Sequence, residues 1–146
     1  MKRVAAAAAV ALALAAPAQA AQPEIFGAWR ITDAQVAPWA QPDSGFSAAE
    51  QHRLIGSNVT FAKTRITALR PLSCQKPHYR FLDVPPDYLF QGGLTDPAAQ
   101  ATALGFHLPK ITTLETGCAG WIDFHFIDAR TAMFGLNNMI YTVRKQ

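Results

Sequence analysis

Two side chains in this 146-residue chain stand at a spacing that could move protons, Asp123 and His125. A carboxylate that orients an imidazole can make a general base. Two apart on a strand, they share a face with Trp121 and Ile127, yet adjacent same-face residues of one strand are poorly placed to hydrogen-bond directly. No serine or cysteine nucleophile motif accompanies them. The pattern predicts instead a polar, solvent-facing stripe, with Phe124 and Phe126 on the core side. His52, His78 and His107 are scattered and form neither H-x-H nor H-x-x-x-H, so neither a metal site nor a cofactor is expected. Asn58-Val59-Thr60 is a chance match to a glycosylation sequon.

The remaining chemistry is sulfur and aromatic surface. Cys74 and Cys118 are the two cysteines, and neither sits in a C-x-x-C. An even count in an exported chain points to a disulfide, with two buried thiols or a metal site as alternatives; a metal needs more ligands at close spacing. Closing a loop of about 45 residues stabilises by roughly 4 kcal/mol in the chain-entropy model, less if strained. Trp39, Phe46, Tyr88 and Phe90 fall in or beside expected loops. Such aromatics line the mouth of a pocket or an interface, or else plug a barrel end.

The expectation of export comes from the first twenty residues. Met1-Lys2-Arg3 is a basic start, residues 4–16 are an unbroken apolar run, and Ala18 and Ala20 frame an A-x-A site. These are the three parts of a secretory signal peptide, and the run is too short to span a bilayer. The mature chain is then residues 21–146, a length for one domain. Removing Lys2 and Arg3 takes the formal charge from +3 to about +1. That leaves no electrostatic case for nucleic acid or anionic lipid as partner. No second long apolar run follows, so stable membrane insertion is not expected, and the location is periplasmic or secreted.

Behind the leader, proline and glycine punctuate many short elements. Residues 25–32 alternate, with Ile25, Gly27, Trp29 and Ile31 on one face, as a half-buried strand does. A capping box at Ser47–Glu50 predicts a short helix running to about Leu54, with Gly56 fitting its end. Strands are expected over 58–61, 65–69, 79–84, 110–116, 121–127, 131–134 and 139–144. Residues 87–91 fit a strand or a turn. Asp96-Pro97 reads as N-cap and first helical residue of a second helix, stopped by Gly105. The fold class expected is mainly β, a single antiparallel barrel of about eight strands with two short helices.

The Gly27-Ala28-Trp29 on the first strand resembles the opening G-x-W of the lipocalin and wider calycin barrels. The resemblance implies that Trp29 packs across the closed end of the barrel, with Arg144 of the last strand lying over it. The two expected helices depart from the simplest lipocalin order. From the residues alone, Gly27 lets a neighbouring backbone or ring approach closely.

The functional expectation is a non-enzymatic exported binding protein holding a small apolar molecule in or at the mouth of the barrel. The alternative is an inhibitor that offers an exposed loop to an exported hydrolase, a protease or a lysozyme. The inward rings separate the two. If Trp29, Phe61, Phe81, Phe124 and Phe126 all meet in the centre, little room remains for a ligand.

Overall fold

In a computed structural model, residues 22–41, 48–118 and 120–146 are described. Residues 1–20, expected above to be a leader, and Phe46 lie outside them. The chain is mainly β, one antiparallel sheet of nine strands curled into a half-barrel. Its strands are β1 (Gly27–Val36), β2 (Asn58–Ala62), β3 (Arg65–Thr67), β4 (Cys74–Gln75), β5 (Arg80–Val84), β6 (Ile111–Glu115), β7 (Phe124–Asp128), β8 (Thr131–Leu136) and β9 (Met139–Lys145). Their order across the sheet is β4-β3-β2-β1-β9-β8-β7-β6-β5. Two short α-helices, α1 (Ala48–Leu54) and α2 (Pro97–Ala103), and a 3-10 segment (Pro86–Gly92) complete it. None of the described helices is long and apolar enough to cross a membrane.

The sheet ends at β4 and β5, which are close in sequence, so the seam falls across residues 76–79. Backbone bonds hold this crossing: Lys76 N–H donates to Thr64 O and His78 N–H to Thr116 O. The disulfide Cys74–Cys118, with Cα atoms 5.9 Å apart, ties β4 to the residues just after β6. It therefore staples the two ends of the curl together, which a sheet that is not closed by its own ladder needs.

The inner face follows from the period of two. Trp29 and Ile31 of β1, Val59 and Phe61 of β2, and Phe124, Phe126, Phe134, Tyr141 and Val143 are all buried in one cluster. The five inward rings do meet: Trp29 lies edge-on to Phe61 at 6.4 Å and to Phe126 at 5.8 Å, Phe61 to Phe124 at 5.1 Å, and Phe81 sits 6.0 Å from Phe126. Edge-to-face packing at these separations is favourable, and it fills the interior with side chains. The indole N–H of Trp29 donates to Ile25 O at 2.8 Å, so its one polar atom is satisfied.

The outer face of β5–β9 carries a second layer. Val84, Ile111, Met133 and Ile140 are buried against Leu89 and Phe90 of the 3-10 segment and Ala101 and Phe106 in and after α2. The helix α2 ends in a Schellman motif: Phe106 N–H returns to Ala101 O, Gly105 N–H to Thr102 O, and Gly105 has φ +93°.

Several expectations change. The strand count, nine among the described residues, fits the expectation of about eight; the addition is the two-residue β4, which no pattern announces. Residues 87–91 are a 3-10 segment broken by left-handed residues. Asp96 makes no side-chain cap bond; the carboxamide oxygen of Gln100 accepts from Thr95 N–H and Asp96 N–H instead. Nothing approaches the place a Cβ of Gly27 would occupy; its φ of +111° is what calls for glycine. Arg144 does not lie over Trp29. It pairs with Arg30 in the register, on the outer face, and its guanidinium reaches Thr131 Oγ1. The cation over the indole is Lys145, the ladder partner of Trp29, with Nζ 5.9 Å from the ring centroid.

Candidate functional site

The register of the outer face builds a cleft. Leu82, Thr113, His125 and Met133 form one cross-strand row. One pleat further on stand Arg80 and Glu115, which are ladder partners, and Asp123, which immediately precedes β7. The first row is covered by the second layer; the next is open and polar.

His125 anchors the covered row. It was expected to face solvent, yet it is 1% exposed. The alternation was right in placing it opposite Phe124 and Phe126, but the 3-10 segment closes over that side. Its Nε2 accepts from Phe90 N–H at 3.0 Å, which places the ring proton on Nδ1, 2.8 Å from Thr113 Oγ1. Burial pushes its pKa down to about 3, so the imidazole stays neutral. This bond supports an uncommon backbone: Phe90 and Gln91 are both left-handed, at φ +51° and +59°. Such a conformation costs a non-glycine residue roughly 1–2 kcal/mol. His125 is thus a structural acceptor, not a base.

The larger cleft, about 950 Å³, runs between the 3-10 segment, β5 and residues 116–118 and 121–123. Glu115 is fully engaged there. Its Oε1 accepts from the Tyr88 hydroxyl at 2.6 Å, and its Oε2 accepts from Arg80 Nε at 2.9 Å and Nη2 at 2.5 Å. The Tyr88 and Arg80 bonds hold the Glu115 carboxyl below its usual range, and the same bond to Glu115 raises Tyr88. Asp123 differs. Burial and then the charge of Glu115 raise its pKa to about 6, and none of the described residues donates a hydrogen bond to it. Cross-strand carboxylates repel, which accounts for the second contribution.

Over this network stands Trp121, 81% exposed at φ +54°. Its carbonyl accepts from the Gln91 side chain, which ties the loop to the 3-10 segment. The disulfide at Cys118 and the packing of His78 against Gly117 hold the other end of the loop. Gly117 has φ +64°, and a Cβ there would come within 3.0 Å of the His78 Cβ.

The aromatics singled out from the sequence divide. Tyr88 lines this cleft and is 40% exposed. Trp39 and Phe90 border a smaller neighbouring cleft of about 450 Å³, which shares Gln91, Trp121 and Asp123 with the larger one. Phe90 is buried in the outer core. The Trp39 indole is partly covered: it lies against Gly93 and Gly135, where a Cβ would stand 2.7 Å and 3.3 Å from its ring atoms, and its N–H donates to Asn137 O. Residues not singled out, Arg80, Gln91, Glu115 and Trp121, supply the rest of the site. The pairing of residue 80 with residue 115 spans a long connection, so no local pattern reveals it. Among the described residues, no group of three or more His, Cys, Asp or Glu could hold a metal ion.

No family model, no curated protein and no solved structure matches the chain.

Proposed function

We propose that this is an exported, non-enzymatic binding protein that takes a small amphipathic ligand in the cleft beneath Trp121. The observation that carries the reading is a contrast in occupancy. The interior of the half-barrel is filled by its own rings, whereas the outer cleft presents an exposed indole above an ordered Arg80–Glu115–Tyr88 network. Concave sites with aromatic walls and a few fixed polar groups are where small molecules bind. Glu115 has both oxygens occupied by Arg80 and Tyr88, which favours recognition over turnover. The disulfide and the leader-like residues 1–20 support export, to the periplasm or beyond.

One observation favours the second reading, an inhibitor of an exported hydrolase. An exposed tryptophan on a loop held by a disulfide is also how a rigid protein presents an anchor to an enzyme cleft. Titration of 15N-labelled protein with a mixed fragment set separates these. The three indole N–H signals report the interior (Trp29), the smaller cleft (Trp39 together with Trp121) and the larger cleft (Trp121 without Trp39). Fragments are expected to shift Trp121 and leave Trp29 unmoved. Movement of Trp29 would return the ligand to the interior. Silence at all three, with complex formation on adding a protease or lysozyme, would establish the inhibitor.

A further inference from the structure

Resting on the cleft reading above, we propose that the ligand is an organic cation, an ammonium carried on an apolar framework, held between the Trp121 ring and the Asp123 carboxylate. The charge count of the lining points this way: Asp87, Glu115 and Asp123 face a single cation, Arg80. That guanidinium is already spent on Glu115 Oε2. Two negative charges are left over, Asp87, exposed at the start of the 3-10 segment, and Asp123, half-buried and reached by no donor among the described residues. A cation at Asp123 would supply what that carboxylate lacks.

The aromatic walls decide which cation. A metal ion needs several hard ligands converging, and no such group exists among the described residues. An organic ammonium needs a carboxylate and an open π-face, and gains most where water is partly excluded. Trp121, 81% exposed, and Tyr88, 40% exposed, offer such faces at the mouth of the cleft. Benzoate-like anions would meet three carboxylates. Neutral molecules could stack but would leave Asp123 unpaired.

The groups that set the charge around Asp123 are Glu115 from β6, Arg80 from β5, Asp87 and Tyr88 from the 3-10 segment, and His125 in β7, two residues on, buried and neutral. Over the range in question Glu115 stays ionised and Arg80 protonated, because each stabilises the charged form of the other. The carboxyl that changes state is Asp123, and ammonium binding must weaken as it takes up a proton.

The test compares three probes that share one ring, benzyltrimethylammonium, benzyl alcohol and benzoate, each titrated while the Trp121 indole N–H signal is followed. The ammonium is expected to bind about tenfold tighter than the alcohol, with benzoate weakest. Its affinity should fall about threefold or more between pH 7.5 and pH 5, since a carboxyl titrating near 6 is then largely protonated. Asp123→Asn should abolish both the preference for the ammonium and its pH dependence, while the alcohol still shifts Trp121. Equal binding of ammonium and alcohol, or tighter binding of benzoate, overturns the cation and leaves the cleft standing. Silence of Trp121 toward all three overturns the cation and the cleft reading together.

Discussion

The two faces of the sheet are built on different principles. The inner face is assembled by alternation, and every position on it answers to the same rule: Trp29, Phe61, Phe124, Phe126 and Tyr141 point inward because their neighbours point out. The outer face has alternation as well, but what covers it does not. A 3-10 segment with two consecutive left-handed residues, a seven-residue helix and a disulfide-held loop form the lid. The buried part of the inner face is therefore carried by apolar and aromatic side chains. The outer face needs a buried histidine to complete its hydrogen bonds, and its polar row continues into an open cleft. Stability is concentrated on one side, and the proposed recognition lies on the other.

If that division is right, the largest effect belongs inside. Trp29→Ala should cost about 3–5 kcal/mol in chemical denaturation, because a fully buried indole leaves a cavity among rings that cannot collapse. Probe binding at Trp121 should survive under folding conditions. A loss below about 1 kcal/mol would remove the interior role of the ring.

His125→Leu should come next, at about 2–3 kcal/mol, since it strands Phe90 N–H and leaves the Thr113 hydroxyl only its long bond to Ile111 O. The pH dependence has a definite sign. The imidazole titrates near 3 in the folded chain, against an ordinary value of 6.5. The unfolded chain therefore binds more protons below about pH 6.5, and stability falls as pH drops from there toward 3, by up to about 1.4 kcal/mol per pH unit. Urea titrations of the parent and the variant at pH 7 and pH 4.5 should show the gap between them shrinking at the lower pH. A constant gap would mean that the ring is not held neutral.

Legibility in the sequence tracks the same division. The inward rings, the disulfide pairing, the Gly105 stop and most strands follow from periodicity, cysteine count and turn residues. His125 was misplaced because a polar residue on an alternating strand is assigned to water, and only the second layer contradicts that assignment. That layer is invisible locally. Phe90 and Gln91 are not residue types that announce a positive φ, and the tertiary bond from His125 holds them there. Likewise Arg144 and Lys145 are neighbours, and the register of β1 with β9 decides which of them crosses Trp29. The cleft was half legible: Tyr88 and Asp123 stood out by type, whereas Arg80 and Glu115 meet only through the pairing of β5 with β6.

The cleft should cost the fold a little, as recognition sites do. The Asp123 carboxyl titrates near 6 when folded and near 3.8 otherwise. A raised carboxyl pKa means that the folded chain holds its proton longer, so this residue destabilises as pH rises from about 4 through 6. Because the group is only half-buried, solvent screening reduces the effect to about 1 kcal/mol. Asp123→Asn should therefore stabilise by about that amount at pH 7.5 and by nothing at pH 4. Equal stabilisation at both values would trace the gain to something other than charge.

The smallest stability effect should be at the residue with the largest proposed role. Trp121 is exposed, and its side chain makes no hydrogen bond among the described residues; the bond from Gln91 goes to its backbone carbonyl. Trp121→Ala keeps that carbonyl, so unfolding free energy should change by no more than about 0.5 kcal/mol. Binding of benzyltrimethylammonium, followed through the Gln91 side-chain amide, should weaken about tenfold. Trp121 sits at φ +54°, and a buried tryptophan that lost its ring would destabilise the chain several times more than this. A stability loss above about 2 kcal/mol would show that the ring belongs to the fold. Unchanged binding would show that the exposed indole is not what the cleft uses.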